Sequence, residues 1–124
     1  MSQPILTPTL VLADPAAHLG EGPIWHVGRN ELLWLDILSA KVFCYSPASA
    51  ALTKTLDLSS HTAHVSTIVP VQGSASSVVI GTTEGVALLD LESASFTPHP
   101  SNGSLHSEYT RMNDGKCDPL GRLW

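Results

Sequence analysis

A carboxylate set between two glycines is the first feature of this 124-residue chain that could do chemistry. It is Glu21, in the run Leu19-Gly20-Glu21-Gly22-Pro23-Ile24-Trp25, just ahead of a strand-like stretch. Glycines let a backbone pass close to a neighbour or a ligand. A carboxylate so placed can face a cavity as a ligand for a hard cation, or stand in solvent as an ordinary turn residue. The second feature is Arg111-Met112-Asn113-Asp114-Gly115-Lys116-Cys117-Asp118-Pro119. Arg111 and Asn113 are two apart, so on an extended chain they share a face. A guanidinium and an amide on one face suit a polyhydroxylated or carboxylate ligand. Asn113-Asp114-Gly115 resembles a fragment of a calcium loop without the remaining EF-hand spacing, and also reads as a plain turn with Arg111 in solvent.

Other reactive residues carry less. His61 and His64 stand in His-x-x-His spacing, but among serines and threonines ahead of a strand, with no further ligand cluster nearby in sequence. His18, His26, His99 and His106 have no evident partners. Cys44 and Cys117 form no CxxC and no zinc-type pattern, and the expectation is two buried free thiols rather than a disulfide. No GxSxG and no phosphate loop is present.

Short strands must position these groups. Nine glycines and nine prolines punctuate the chain too often for long helices. Strand-like runs cover 31–37, 42–45, 52–58, 65–71, 77–81, 86–91 and 95–97. Between them stand the turn signals Gly28-Arg29-Asn30, Ser46-Pro47-Ala48, Gly73-Ser74 and Thr83-Glu84-Gly85. The nearly continuous apolar runs at 32–35 and 78–80 suggest sheets covered on both faces. Trp34, Val79 and Trp124 recur at intervals of 45 residues, the length of one propeller blade. A β-sandwich cut at the same turns is the competing architecture.

Composition narrows the partners. Hydrophobic residues at 43% against charged residues at 14% describe a globular chain rather than a disordered one. Six Lys plus Arg and a net charge of −5 give no basic footprint for nucleic acid. Residues 1–13 have no basic n-region and only a short apolar stretch, so no membrane association is expected and the default location is cytoplasmic. Asn102-Gly103-Ser104 matches a glycosylation sequon and is expected to be a turn.

Gly20-Glu21-Gly22-Pro23-Ile24-Trp25, then Leu33-Trp34-Leu35-Asp36-Ile37, then the run from Arg111 through Lys116-Cys117-Asp118-Pro119-Leu120-Gly121-Arg122-Leu123-Trp124 resemble the regucalcin/gluconolactonase/luciferin-regenerating family. The resemblance runs from about Leu10 to the end and implies an all-β fold, part of a six-bladed β-propeller. Residues 1–124 would be the N-terminal portion of one such domain, about two blades plus the start of a third. It further implies a sugar-lactone hydrolase with one divalent metal ion, calcium or zinc, or else magnesium or manganese. By that likeness Glu21 matches a metal ligand, and Arg111 and Asn113 match substrate-binding residues for a small-molecule sugar lactone. The family's remaining ligands, an Asn and an Asp that is also the supposed general base, have no counterpart here, so no catalytic residue is assigned.

Six blades of roughly 40–50 residues need roughly 250–300 residues. The expectation for the chain by itself is an incomplete metal site, no lactonase turnover, and exposed strand edges open to self-association. The run 9–13 resembles a strand that closes the last blade of such a ring. A calcium-binding or interaction module without turnover is the alternative reading, and a strictosidine-synthase-like or paraoxonase-like activity an outside one.

Overall fold

The computed structural model describes residues 6–100 and 110–124; the sequon at 102–104 and His106 lie outside them. Among these residues eight strands form, in two sequential meanders. The first sheet holds β1 (Gly20–His26), β2 (Glu31–Asp36), β3 (Lys41–Ser46) and β4 (Ala51–Asp57), antiparallel and in chain order. The second repeats the pattern with β5 (Val65–Pro70), β6 (Ser77–Thr82), β7 (Gly85–Asp90) and the short β8 (Phe96–Pro98). An isolated bridge between Cys117 and Leu123 opens a further hairpin.

Side-chain alternation sets the packing. On β2, Leu33 and Leu35 are fully buried while Leu32 and Trp34 on the opposite face are half-buried. Leu33, Leu35, Val42, Cys44 and Leu56 of the first sheet join Val65, Ile68, Val78, Ile80, Ala87 and Leu89 of the second in one apolar cluster. Burying such a side chain contributes about 1.5–3 kcal/mol. The sheets are therefore held face to face, as the continuous apolar runs implied.

Every strand expected from 31 onward is present, with ends displaced by one or two residues. Two readings need correction. The Glu21 segment does not merely precede a strand: residues 20–26 are β1, whose glycines and proline concealed it. The run 9–13 forms no strand. The 45-residue repeat holds in the ladders: Leu33 pairs with Cys44 and Trp34 with Phe43 in the first sheet, and 45 residues on Val78 pairs with Leu89 and Val79 with Leu88 in the second.

A polar clasp joins the sheets at one edge. Arg29 Nε donates to Glu31 Oε2 at 2.6 Å, and Thr53 Oγ1 donates to Glu31 Oε1 at 2.7 Å. Arg29 also reaches Glu92 on the β7–β8 turn, where Lys54 Nζ lies 3.1 Å from Glu92 Oε2 and donates to the Leu91 carbonyl at 2.7 Å. Burial alone would raise Glu31 above its ordinary 4.5, but the hydrogen bonds from Thr53 and Arg29 outweigh it and hold the carboxyl below. Nearby, His26 is 2% exposed and neither ring nitrogen has a hydrogen-bond partner. Burial, helped by the Arg29 charge, pushes its imidazole below the ordinary 6.5.

Glu31→Ala leaves Arg29 partly unpaired in a buried setting and should cost about 2–4 kcal/mol in urea unfolding. Glu92→Gln, at the exposed end of the clasp, should move the midpoint little. Because folded His26 binds a proton less readily than unfolded His26, stability held above pH 6.5 should fall as pH drops below it. His26→Leu should flatten that decline and leave pH 7 stability unchanged or higher, which unfolding curves from pH 7.5 to 5 would show. Cys44 is buried with its thiol pushed up to about 11, chiefly by desolvation, whereas Cys117 is exposed, correcting the expectation of two buried thiols. A thiol reagent should therefore modify one cysteine per native chain and two after denaturation.

Candidate functional site

Two strands and a third segment converge where the conspicuous residues lie. β1 and β5 both carry a register shift near their starts, between Glu21 and Ile24 and between Val65 and Ile68. Such bulges bend a strand and re-aim its side chains. Gly22 occupies the first bulge with a φ of 61°, a left-handed conformation that glycine adopts without strain. The third segment, 113–117, is tied to β5 by the Thr67 hydroxyl, which donates to the Gly115 carbonyl at 3.2 Å.

At the leading ends of these segments is a cavity of about 150 Å³ lined by Glu21, Gly22, Ile37, Ser66, Asn113 and Asp114. Glu21 and Asn113, distant in sequence, thus face one space. A neighbouring cavity of about 240 Å³ shares Gly22 and Asp114 and continues along residues 22–24, 67–70 and 114–117. Arg111 does not line the smaller cavity but reaches it through Asn113. Its Nη1 donates to Asn113 Oδ1 at 3.3 Å and to the Met112 carbonyl at 2.9 Å. The two-residue spacing does bring guanidinium and amide together.

Sequence reasoning missed Ser66 as a lining residue and left Asp114 as part of a turn. Asp114 does have a turn role, since its Oδ1 accepts the Gly115 N–H at 2.7 Å. Ser66 was hidden inside Val65-Ser66-Thr67-Ile68-Val69, which reads only as a buried strand. No signal in the sequence exposes it: Ser66 follows Val65 at the bulge of β5 as Gly22 follows Glu21 at the bulge of β1, and those bulges are visible only in the ladders.

The donor set is all oxygen: two carboxylates, a side-chain amide and a hydroxyl. That set could hold a hard cation such as calcium, magnesium or manganese. The imidazoles and thiolates that usually bind zinc do not line this cavity. Ser66 lines the cavity as a residue, and its hydroxyl oxygen is buried with no hydrogen-bond partner. Among the described residues, no group of three or more His, Cys, Asp or Glu could hold a metal ion. His61 instead stacks on Phe96 with ring centroids 4.7 Å apart, and His64 Nδ1 lies 3.4 Å from Thr83 Oγ1. Among the described residues, no helix is long and apolar enough to cross a membrane.

Comparison with known proteins gives a consistent picture. A sequence model of the SMP-30/gluconolactonase/LRE-like region matches residues 19–124. The 6-deoxy-6-sulfogluconolactonase of Pseudomonas putida is 29% identical over 114 residues, covering 92% of this chain and 36% of the relative. A solved luciferin-regenerating enzyme superposes with a TM-score of 0.75 at 31% identity, covering 87% of this chain and 35% of that one. Regucalcin of Agrobacterium tumefaciens, described as a calcium-binding protein, superposes with a TM-score of 0.73 at 27% identity, covering 87% and 34%. The chain spans about a third of the length of the proteins it matches.

Proposed function

The chain belongs to the SMP-30/gluconolactonase/LRE-like family, and from that premise we propose that it supplies the first part of a metal-dependent sugar-lactone hydrolase. In this reading residues 1–124 form about two blades and the opening of a third in a six-bladed propeller. Two four-stranded meanders in sequence, followed by the Cys117–Leu123 bridge, support that division. The observation that carries the functional reading is the single cavity shared by Glu21 and Asn113.

Each residue then has a task. Glu21 is the ligand for one divalent cation, with the Asp114 carboxylate adding negative potential beside it. A divalent cation held there by Glu21 would supply Lewis-acid polarisation of a lactone carbonyl. Arg111 holds the Asn113 amide oxygen and so leaves the amide N–H groups to donate to substrate oxygens. The exposed Arg111 guanidinium has further N–H donors for the hydroxyls of a sugar lactone. No residue here is assigned as the base that activates water. The chain by itself is thus a binding wall for cation and lactone rather than a complete catalyst. The calcium-binding description of the Agrobacterium neighbour favours calcium and sustains a second reading, a calcium-binding module without turnover.

Calcium titration by calorimetry tests the proposal. The 124-residue chain should bind one ion weakly, with Kd of about 0.1–1 mM or above, as extracellular-type modules with few charged ligands do. Glu21→Gln should weaken that binding at least about tenfold, consistent with loss of one charged ligand. Unchanged binding in this variant would contradict the site. With D-glucono-1,5-lactone in a pH-stat, the chain should add nothing to spontaneous hydrolysis. Turnover that a chelator abolishes would contradict the assignment of the base outside this chain.

A further inference from the structure

Residues 111–124 carry Arg111, Asn113 and Asp114 but belong to neither sheet. Their own hydrogen bonds run inward. Lys116 and Trp124 bond each other's backbones, Asp118 gathers the Arg122 amide and guanidinium, and Arg111 donates to Met112 and Asn113. Among the described residues, the hydrogen bond that ties this segment to the sheets is donated by the Thr67 hydroxyl to the Gly115 carbonyl, at 3.2 Å. The chain clears space for that contact on both sides. The register shift between Val65 and Ile68 sets Ser66 and Thr67 together against Gly81, where a Cβ would lie 3.0 Å from Thr67 Cγ2. A Cβ on Gly115 would lie 3.1 Å from Thr67 Oγ1. Both distances are closer than ordinary carbon packing allows. Two glycines therefore let Thr67 meet β6 through its methyl and the 113–117 segment through its hydroxyl. Thr67 is 5% exposed, and its branched Cβ restricts χ1, so the hydroxyl stays aimed at one acceptor.

We infer that Thr67 is a positioning residue of the candidate site: its hydroxyl fixes the distance between the Glu21 wall on β1 and the Asn113–Asp114 wall, so that one guest can span both. The action is indirect and runs through Gly115, which directly follows Asp114 and stands two residues from Asn113. An extended segment advances about 3.3 Å per residue, so a slip of one residue would take the Asn113 amide out of hydrogen-bond reach of a guest anchored at Glu21. A wall already held in place also spares the guest the cost of ordering it. This inference rests on the proposed cation and lactone role of the cavity and adds to it the residue that holds the two walls together.

Thr67→Val keeps the shape of the side chain and removes the hydroxyl, whereas Thr67→Ser keeps the hydroxyl. D-gluconolactam, a hydrolysis-resistant analogue of the lactone, is titrated with calcium present into the unsubstituted chain and both variants, followed by amide chemical shifts. Thr67→Val should weaken the lactam Kd about five- to tenfold, the worth of one hydrogen bond, while Thr67→Ser stays within about twofold. Equal weakening in both variants, or none in either, overturns the inference and leaves the lactone-binding reading standing. Manganese in place of calcium reads the distance itself. Its paramagnetic broadening should reach the Gly22 amide and the Asn113 side-chain amide in the unsubstituted chain and in Thr67→Ser, and should fade at Asn113 alone in Thr67→Val. A threonine that serves the fold only would lower the unfolding midpoint and leave that pattern unchanged, which overturns the inference. Should Thr67→Val fail to fold, the unsubstituted chain still decides, because broadening at Gly22 without broadening at Asn113 overturns it. No broadening at either group, together with no lactam binding, overturns the cation and lactone reading as well.

Discussion

The face-to-face packing of the two meanders is the constraint on which the rest of the molecule depends. Leu33 and Leu35 on one side and Ile68, Val78 and Ile80 on the other leave little freedom in how the sheets meet. Because each sheet is a chain-order meander, this packing fixes which strands are neighbours at its inner side: β1 and β5. The 113–117 segment adds a third through Thr67 and Gly115. Residues far apart in sequence then share one cavity without any long loop to carry them. Stability and site geometry are properties of the same interface, so core volume changes at Leu35 or Ile68 would be felt at Gly22, whose own close neighbours they are.

The polar groups divide into two kinds. Some are fully used by the fold. Glu31 is shared by Arg29 and Thr53, and Asp118 accepts from the Leu120 and Arg122 amides, the Arg122 guanidinium and the Trp124 indole. Others face the cavity, among them the Glu21 carboxylate and the Asn113 amide. The bulges at the starts of β1 and β5 separate the two kinds, since they interrupt the ladder at the positions where side chains must face the cavity. Local departure from ideal strand geometry is concentrated where function is proposed.

Much of this was legible in the chain itself. Seven of the strands announce themselves as short apolar runs between glycine, proline and asparagine turns. The eighth, β1, did not, because the glycines and proline that allow Glu21 its position are the residues that disguise a strand. The repeat was visible through Trp34 and Trp124. Its middle copy, Val79, keeps the register without a tryptophan, since it faces Leu88 as Trp34 faces Phe43. Glu21, Arg111 and Asn113 stood out by type and spacing. Ser66 did not, since a serine inside a β-branched strand carries no chemical signature.

The central claim is that the leading ends of β1, β5 and the 113–117 segment form one cation and sugar site. The direct measurement is an anomalous difference map from crystals of the chain grown with terbium or manganese. The account predicts a peak at bonding distance from the Glu21 carboxylate, inside the cavity bounded by Asn113, Asp114 and Ser66. Peaks confined to surface carboxylates such as Asp57 or Glu84, with none at Glu21, would contradict it.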